Sequence, residues 1–268
     1  LTVFNNQLYF RANDGISGSE LWTYDGTDPP SMSPPSMVAD INSGSSSSYP
    51  EHLIVFNNQL YFEANDGTNG WELWTYDGTN PPSMVADIRS GAISSFVDSP
   101  IVFNNQLYFK ADDGISGSEL WTYDGTNPPS MVADIHLGSS DSVLDDPTMF
   151  NSQLYFRADD GINGEELWTY DGTNPPSMVA DIHLGSSDSD LDYLTVFNNQ
   201  LYFRADDGIN GSELWTYDGT NPPSMVADIN SGSSDSGVKY LIVFNNQLYF
   251  GADDGINGSE LWTYDGTN

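Results

Sequence analysis

Leu201-Tyr202-Phe203-Arg204-Ala205-Asp206-Asp207-Gly208-Ile209-Asn210-Gly211-Ser212-Glu213-Leu214-Trp215-Thr216-Tyr217-Asp218-Gly219-Thr220 is the stretch whose reading decides the fold. Residues 201–206 and 213–218 carry large side chains on both faces of an extended chain. Leu201 and Phe203 point one way and Tyr202 the other, while Trp215 and Tyr217 oppose Leu214. A strand buried on both faces reads like this; a one-sided sheet alternates apolar with polar. Asp207 to Ser212, punctuated by glycine, is a hairpin loop between them. Upstream, Leu194 to Phe197 is a short strand followed by Asn198-Asn199, a pair that tolerates the positive φ of a tight turn. Downstream, Met225 to Ile229 forms a fourth strand after Pro222-Pro223. We call the four strands A to D. No window has helical periodicity.

The phrase ELWTYDGT recurs six times, from Glu20, Glu72, Glu119, Glu166, Glu213 and Glu260, with a spacing of 47 residues after a first interval of 52. The longer interval comes from Ser31 to Pro35, which roughly duplicates the neighbouring Pro-Pro-Ser-Met. A fixed period of this size means one small unit copied in tandem. A–B, B–C and C–D connections are hairpin-short and only D–A, such as 230–240, is long. That pattern predicts a single all-β domain over 1–268, a six-bladed β-propeller with A innermost, of units near 1–50, 51–98, 99–145, 146–192, 193–239 and 240–268. An open superhelical stack is the alternative. Strands A to C occur six times and D five, so the last blade is expected to lack its outermost strand. Glu260, Trp262 and Tyr264 then mark an assembly edge, left bare, covered by a neighbour or continued by further chain. The chain opens at Leu1 without an initiator Met and reads as a mature or excised piece.

Thirty-nine acidic residues against 6 basic ones give a net charge of −33, which repels nucleic acid and anionic membrane surfaces. No apolar run is long enough to cross a bilayer, and without cysteine there is neither a disulfide nor a thiolate metal site.

The phrases LYFRADDG, GSELWTYDGT and VADINSG resemble the bacterial ELWxxDGT repeat family and cover nearly the whole chain. The resemblance implies a secreted or surface-attached bacterial protein with propeller-like repeats, and it supplies no catalytic residues. The chain departs from the family pattern at Asn-Pro-Pro-Ser and at Ser43-Gly44 and Leu137-Gly138, all in loops.

The B–C and D–A loops should share one end of each blade. That end would gather Asp113, Glu119, Asp134 and Asp141, then Asp160, Glu166, Asp181 and Asp188 in the next unit. Ca²⁺ needs six to eight oxygens, so these acids are the candidate metal ligands and Ca²⁺ is the candidate cofactor. The competing reading is that Asp-Gly pairs build turns and the acids accept loop N–H bonds. The six ELW tryptophans read as core. Trp71 stands apart, replacing serine in one unit, in the hairpin loop. His136 and His183 share one repeat position and His52 lies elsewhere; they read as drift between copies. Asn210 and Asn257 satisfy the N-x-S acceptor pattern for glycosylation. The sialidase Asp-box is absent at Thr23 to Thr27, and departures from the repeat look scattered along the chain. These features predict a non-enzymatic extracellular or cell-surface module, structural or adhesive, whose partners are its own copies or neighbouring repeats. The alternative is a multivalent, Ca²⁺-assisted glycan-binding lectin.

Overall fold

The computed structural model describes residues 1–26, 34–142 and 144–267. Most of the duplicated phrase at Ser31 to Pro35, and Asn268, lie outside the described residues. No helix occurs among those described, so none could cross a membrane.

Six antiparallel sheets follow one another along the chain, each with its strands in sequence order. Sheet one holds β1 (Thr2–Phe4), β2 (Gln7–Asn13), β3 (Ser19–Tyr24) and β4 (Ser36–Ala39). Sheet two holds β5 (Glu51–Phe56), β6 (Gln59–Asn65), β7 (Trp71–Tyr76) and β8 (Ser83–Ala86). Sheet three holds β9 (Asp98–Phe103), β10 (Gln106–Asp112), β11 (Ser118–Tyr123) and β12 (Ser130–Ala133). Sheet four holds β13 (Asp145–Phe150), β14 (Gln153–Asp159), β15 (Glu165–Tyr170) and β16 (Ser177–Ala180). Sheet five holds β17 (Asp192–Phe197), β18 (Gln200–Asp206), β19 (Ser212–Tyr217) and β20 (Ser224–Ala227). Sheet six has three strands, β21 (Lys239–Phe244), β22 (Gln247–Asp253) and β23 (Ser259–Tyr264). Leu1–Val132 and Ala133–Asn268 form two compact units.

Local chemistry explains the hairpins. Asn198 and Asn199 have φ of 46 and 57 between the paired residues Phe197 and Gln200, a two-residue turn whose twist suits the flanking strands. Strand A begins two residues earlier than its apolar run predicts. A bulge between Asp192 and Thr195, with Tyr193 at φ 61, carries the chain past an irregular step before regular pairing resumes.

In sheets two to five both faces of strands B and C are largely buried, as the sequence requires, whereas β23 of sheet six is mostly exposed, with Leu261 at 74%. In the first unit, Leu60, Phe62, Ala64 and Trp74 of sheet two pack on Phe4, Tyr9 and Leu21 of sheet one. From the other face, Tyr61 and Leu73 pack on Leu107, Phe109 and Ala111 of sheet three. The second unit repeats the scheme, with Tyr202 and Leu214 of sheet five against Leu248, Phe250 and Ala252 of sheet six. Each fully buried Phe or Leu contributes roughly 1.5–3 kcal/mol. The tyrosine hydroxyls avoid a desolvation penalty by bonding glutamine at the strand end, as Tyr155 does to Gln153 Oε1 at 2.9 Å.

The residues expected at a bare edge have distinct roles. Trp262 and Tyr264 belong to the core between sheets five and six. The indole Nε1 of Trp262 donates to Ala252 O at 3.0 Å, and the Tyr264 ring meets Tyr202 at 5.8 Å. Glu260 is exposed.

Candidate functional site

The glutamate that opens each ELWTYDGT phrase is fully buried in the first five sheets. Its place inside strand C, beside the D–A connection, explains why. Glu72 Oε2 accepts Ile88 N–H at 2.9 Å and Ser95 Oγ–H at 2.7 Å, and its Oε1 accepts Ser95 N–H at 3.2 Å. Glu20 holds Ile41 N–H and Ser48 in the same way, and Glu166 accepts Ile182 N–H at 2.9 Å and His183 N–H at 3.1 Å. The serine reaches onward, because the carbonyls of Ser48 and Ser95 accept Asn65 N–H and Asp112 N–H from strand B of the following sheet. Glutamate and serine thus clasp the long connection and join sheet to sheet. Nothing in the sequence reading singled out the serine. Its signal is a fixed place eight residues before the strand-A phenylalanine (Ser48, Ser95, Ser142, Ser189, Ser236), while the next residue varies freely.

The proposed cation ligands serve similar ends. Asp113 Oδ1 accepts Ile115 and Ser116 N–H, and Asp160 caps Ile162 and Asn163 in the next unit. Asp134 and Asp181 accept the N–H of Gly138 and Gly185, and Asp188 that of Glu165. Asp141 is exposed, and Glu119 is buried like the other clasp glutamates. Among the described residues, one set of three metal-ligating side chains has all its ligand atoms within 4.8 Å: Glu51, His52 and Glu63, none of them among the predicted acids. The Nδ2 atoms of Asn210 and Asn257 donate to Asp207 and Asp254 at 2.8 Å, so one of the two amide hydrogens already serves the loop. His183 Nδ1 lies 3.0 Å from Asp188 O, and His136 Nδ1 lies 3.5 Å from Asp159.

Burial pushes the carboxyls of Glu72 and Glu166 up to about 7, outweighing the hydrogen bonds they accept, and raises Glu213 as well. These groups keep protons in the folded chain that the unfolded chain has already released. Stability therefore falls as pH climbs from the ordinary carboxylate range to about 7. Asp77, Asp124, Asp171 and Asp218 shift the opposite way, each held low by the side chain of the Asn three residues on and by loop N–H groups. Their contribution is lost only on acidification below the usual range. The melting temperature is expected to peak near about pH 5 and to be several degrees lower at about pH 8. A profile that rises from pH 5 to pH 8 contradicts this assignment.

Several departures from the repeat that look scattered in sequence converge in the first unit, while others such as Glu165 and Gly251 lie in the second. Trp71 is the first residue of β7, not a loop residue, and is half-buried. Its ring meets Tyr49 edge-on at 6.4 Å and Phe96 at 6.3 Å, and those two are 46% and 50% exposed. Tyr49 and Phe96 occupy one repeat position in successive connections. One precedes sheet two and the other follows it, so they flank Trp71 from both sides. Beside Trp71 lies Glu63, where strand B carries Arg or Lys in four of the other sheets. Elsewhere the facing pair joins base to acid: Arg157 to Asp145 at 3.1 Å, Arg204 to Asp192 at 3.2 Å and Lys110 to Asp98 at 3.3 Å. In sheet two Glu63 faces Glu51, an arrangement that opposes like charges across the strands. Glu51 pairs instead with Arg11 of sheet one. Glu63 is 8% exposed. Burial, then the charges of Glu51 and Asp98, push its carboxyl up to about 8. A cavity of about 240 Å³ lies on one side of the indole, bounded by Arg11, Tyr49, Glu51 and Glu63. A second of about 290 Å³ lies on the other, bounded by His52, Glu63, Phe96, Asp98 and Lys110.

No protein-family model matches the chain, and no curated protein matches it. Among solved structures, the chain is similar to the computationally designed Ika8 protein, at 18% identity and TM-score 0.53 over 98% of this chain and 70% of that one. It is similar to puromycin hydrolase at 12% identity and TM-score 0.57, over 97% of this chain and 43% of that one. A puromycin-hydrolyzing peptidase of Mycobacterium tuberculosis gives 12% and 0.57, over 98% and 44%. The chain thus spans less than half the length of these two structures. At such identities the likeness is one of fold.

Proposed function

We propose that the chain is a non-enzymatic β-propeller module of the ELWxxDGT repeat type, with six blades, acting as a structural or adhesive element at a bacterial surface or outside the cell. The observation that supports this most is the fate of the recurring acids. The clasp glutamates and loop aspartates accept backbone N–H bonds in unit after unit, so among the described residues these recurring acids serve the frame. Face-to-face packing of successive sheets, with neighbouring A strands in contact within each unit, is the arrangement blades adopt. The likeness to peptidase structures bears on this frame and not on hydrolysis.

Light scattering and negative-stain electron microscopy of the purified chain test the reading. Rings that associate end to end are the expected result. Peptide hydrolysis that copurifies with the chain and vanishes on a single substitution would overturn it.

A further inference from the structure

Sheet two gives up a structural ion pair. Three other sheets neutralise the same cross-strand position with Arg or Lys, yet here two glutamates face each other, one of them buried. The same sheet carries the one tryptophan outside the ELW phrases, with exposed aromatics on either side. Local rules broken together at one place, at a cost to stability, mark a site kept for binding.

We propose that the cleft around Trp71 is a single binding site for a short uncharged oligosaccharide, one sugar ring on each side of the indole. The walls supply flat apolar faces for the C–H faces of pyranose rings. Tyr49 stands at 86° to Trp71 and Phe96 at 75°, so each side of the indole is an open corner and not a cage closing on a cation. The rim alternates donors and acceptors suited to hydroxyls: Arg11, His52 and Lys110 donate, while Glu51 and Asp98 accept. These charges already balance one another. Arg11 pairs with Glu51 and lies 5.7 Å from the Tyr49 ring centroid; Lys110 and His52 Nδ1 both reach Asp98, the latter at 3.1 Å. A cationic ligand would have to displace Arg11 from both partners in the first cavity and Lys110 from Asp98 in the second, and an anionic one would meet a chain of net charge −33. A neutral polyol meets neither obstacle. Each cavity falls just short of the roughly 300–1,000 Å³ usual for a ligand pocket, and the two share one wall. Such a site occurs once per chain, whereas a multivalent lectin would repeat it in every blade.

The test is a printed array of neutral, acidic and amine-bearing oligosaccharides, followed by calorimetric titration of the neutral glycan bound best. Two variants install residues that other sheets already carry at the same positions, Trp71→Ser (as Ser19, Ser118, Ser212 and Ser259) and Glu63→Arg (as Arg11, Arg157 and Arg204). The expected result is one site per chain, with affinity reduced at least about tenfold in both variants. Glu63→Arg should melt at or above the parent temperature, because it restores the base–acid pair. Lost binding then cannot be ascribed to unfolding. The inference is overturned if no neutral glycan binds, if either variant binds as the parent does, or if several sites titrate. It is equally overturned if a basic peptide binds in place of sugar. Whether the chain forms rings or filaments has no bearing on these outcomes.

Discussion

Glu166→Ala is expected to cost on the order of 3–5 kcal/mol and to lower the melting temperature more than any surface substitution. Truncation removes the acceptor of Ile182 N–H, which is buried, and of His183 N–H, which is part-buried. Ser189 keeps a partner, since its hydroxyl also donates to Glu165 O at 2.7 Å. Glu166→Gln keeps the shape and one acceptor oxygen, and resembles the protonated carboxyl that burial favours; about 1 kcal/mol is expected. The amide cannot titrate, so this variant should also show a shallower decline in stability between about pH 5 and pH 7 than the parent. Chemical denaturation of the three proteins at two pH values decides it. Equal losses for Ala and Gln would mean that charge, and not the acceptor geometry, makes the clasp.

Gly211→Ala is the second change of large expected effect. Gly211 has φ of +72, and a Cβ there would lie 2.7 Å from Ser234 C and O and 3.0 Å from Asp235 N. The obstacle is backbone of the D–A connection, which cannot swing aside as a side chain would. Left-handed strain of about 1–3 kcal/mol then adds to displacement of the connection that the clasp holds. Gly232→Ala is the control. It has φ of +96 with nothing within 4 Å of the new Cβ, so only the strain remains and about 1 kcal/mol is expected. Comparable melting temperatures for the two variants would show that the close approach carries no weight.

Strands B and C were legible because Leu201, Tyr202, Phe203 and Trp215 put bulk on both faces, and only a sheet packed on both sides accommodates that. The Asn-Asn turn and the Asp-Gly loops were legible for the same kind of local reason. The clasp was half legible: the glutamate repeats visibly, but its serine sits in a polar stretch whose composition hides one buried residue among several exposed ones. The cleft was not legible, except for Trp71. Tyr49 and Phe96 lie 47 residues apart, and only the packing of two connections against one strand makes them neighbours of the same indole. The acids proposed for Ca²⁺ are divided between strand C, where Glu119 and Glu166 are buried, and separate loops, where Asp113, Asp134, Asp160, Asp181 and Asp188 accept local N–H groups.

The clasp also tolerates changes in length. Glu20 and Ser48 are 28 residues apart and Glu72 and Ser95 only 23, yet both pairs close with the same atoms. Near-identical tandem copies are prone to unequal recombination, which adds or deletes whole periods. Each of the first five periods carries its own glutamate and its own receiving serine, so a crossover among them regenerates a complete set of bonds. The chain can therefore lengthen or shorten in evolution without a compensating mutation, and insertions between the two partners are absorbed as they were in the first copy.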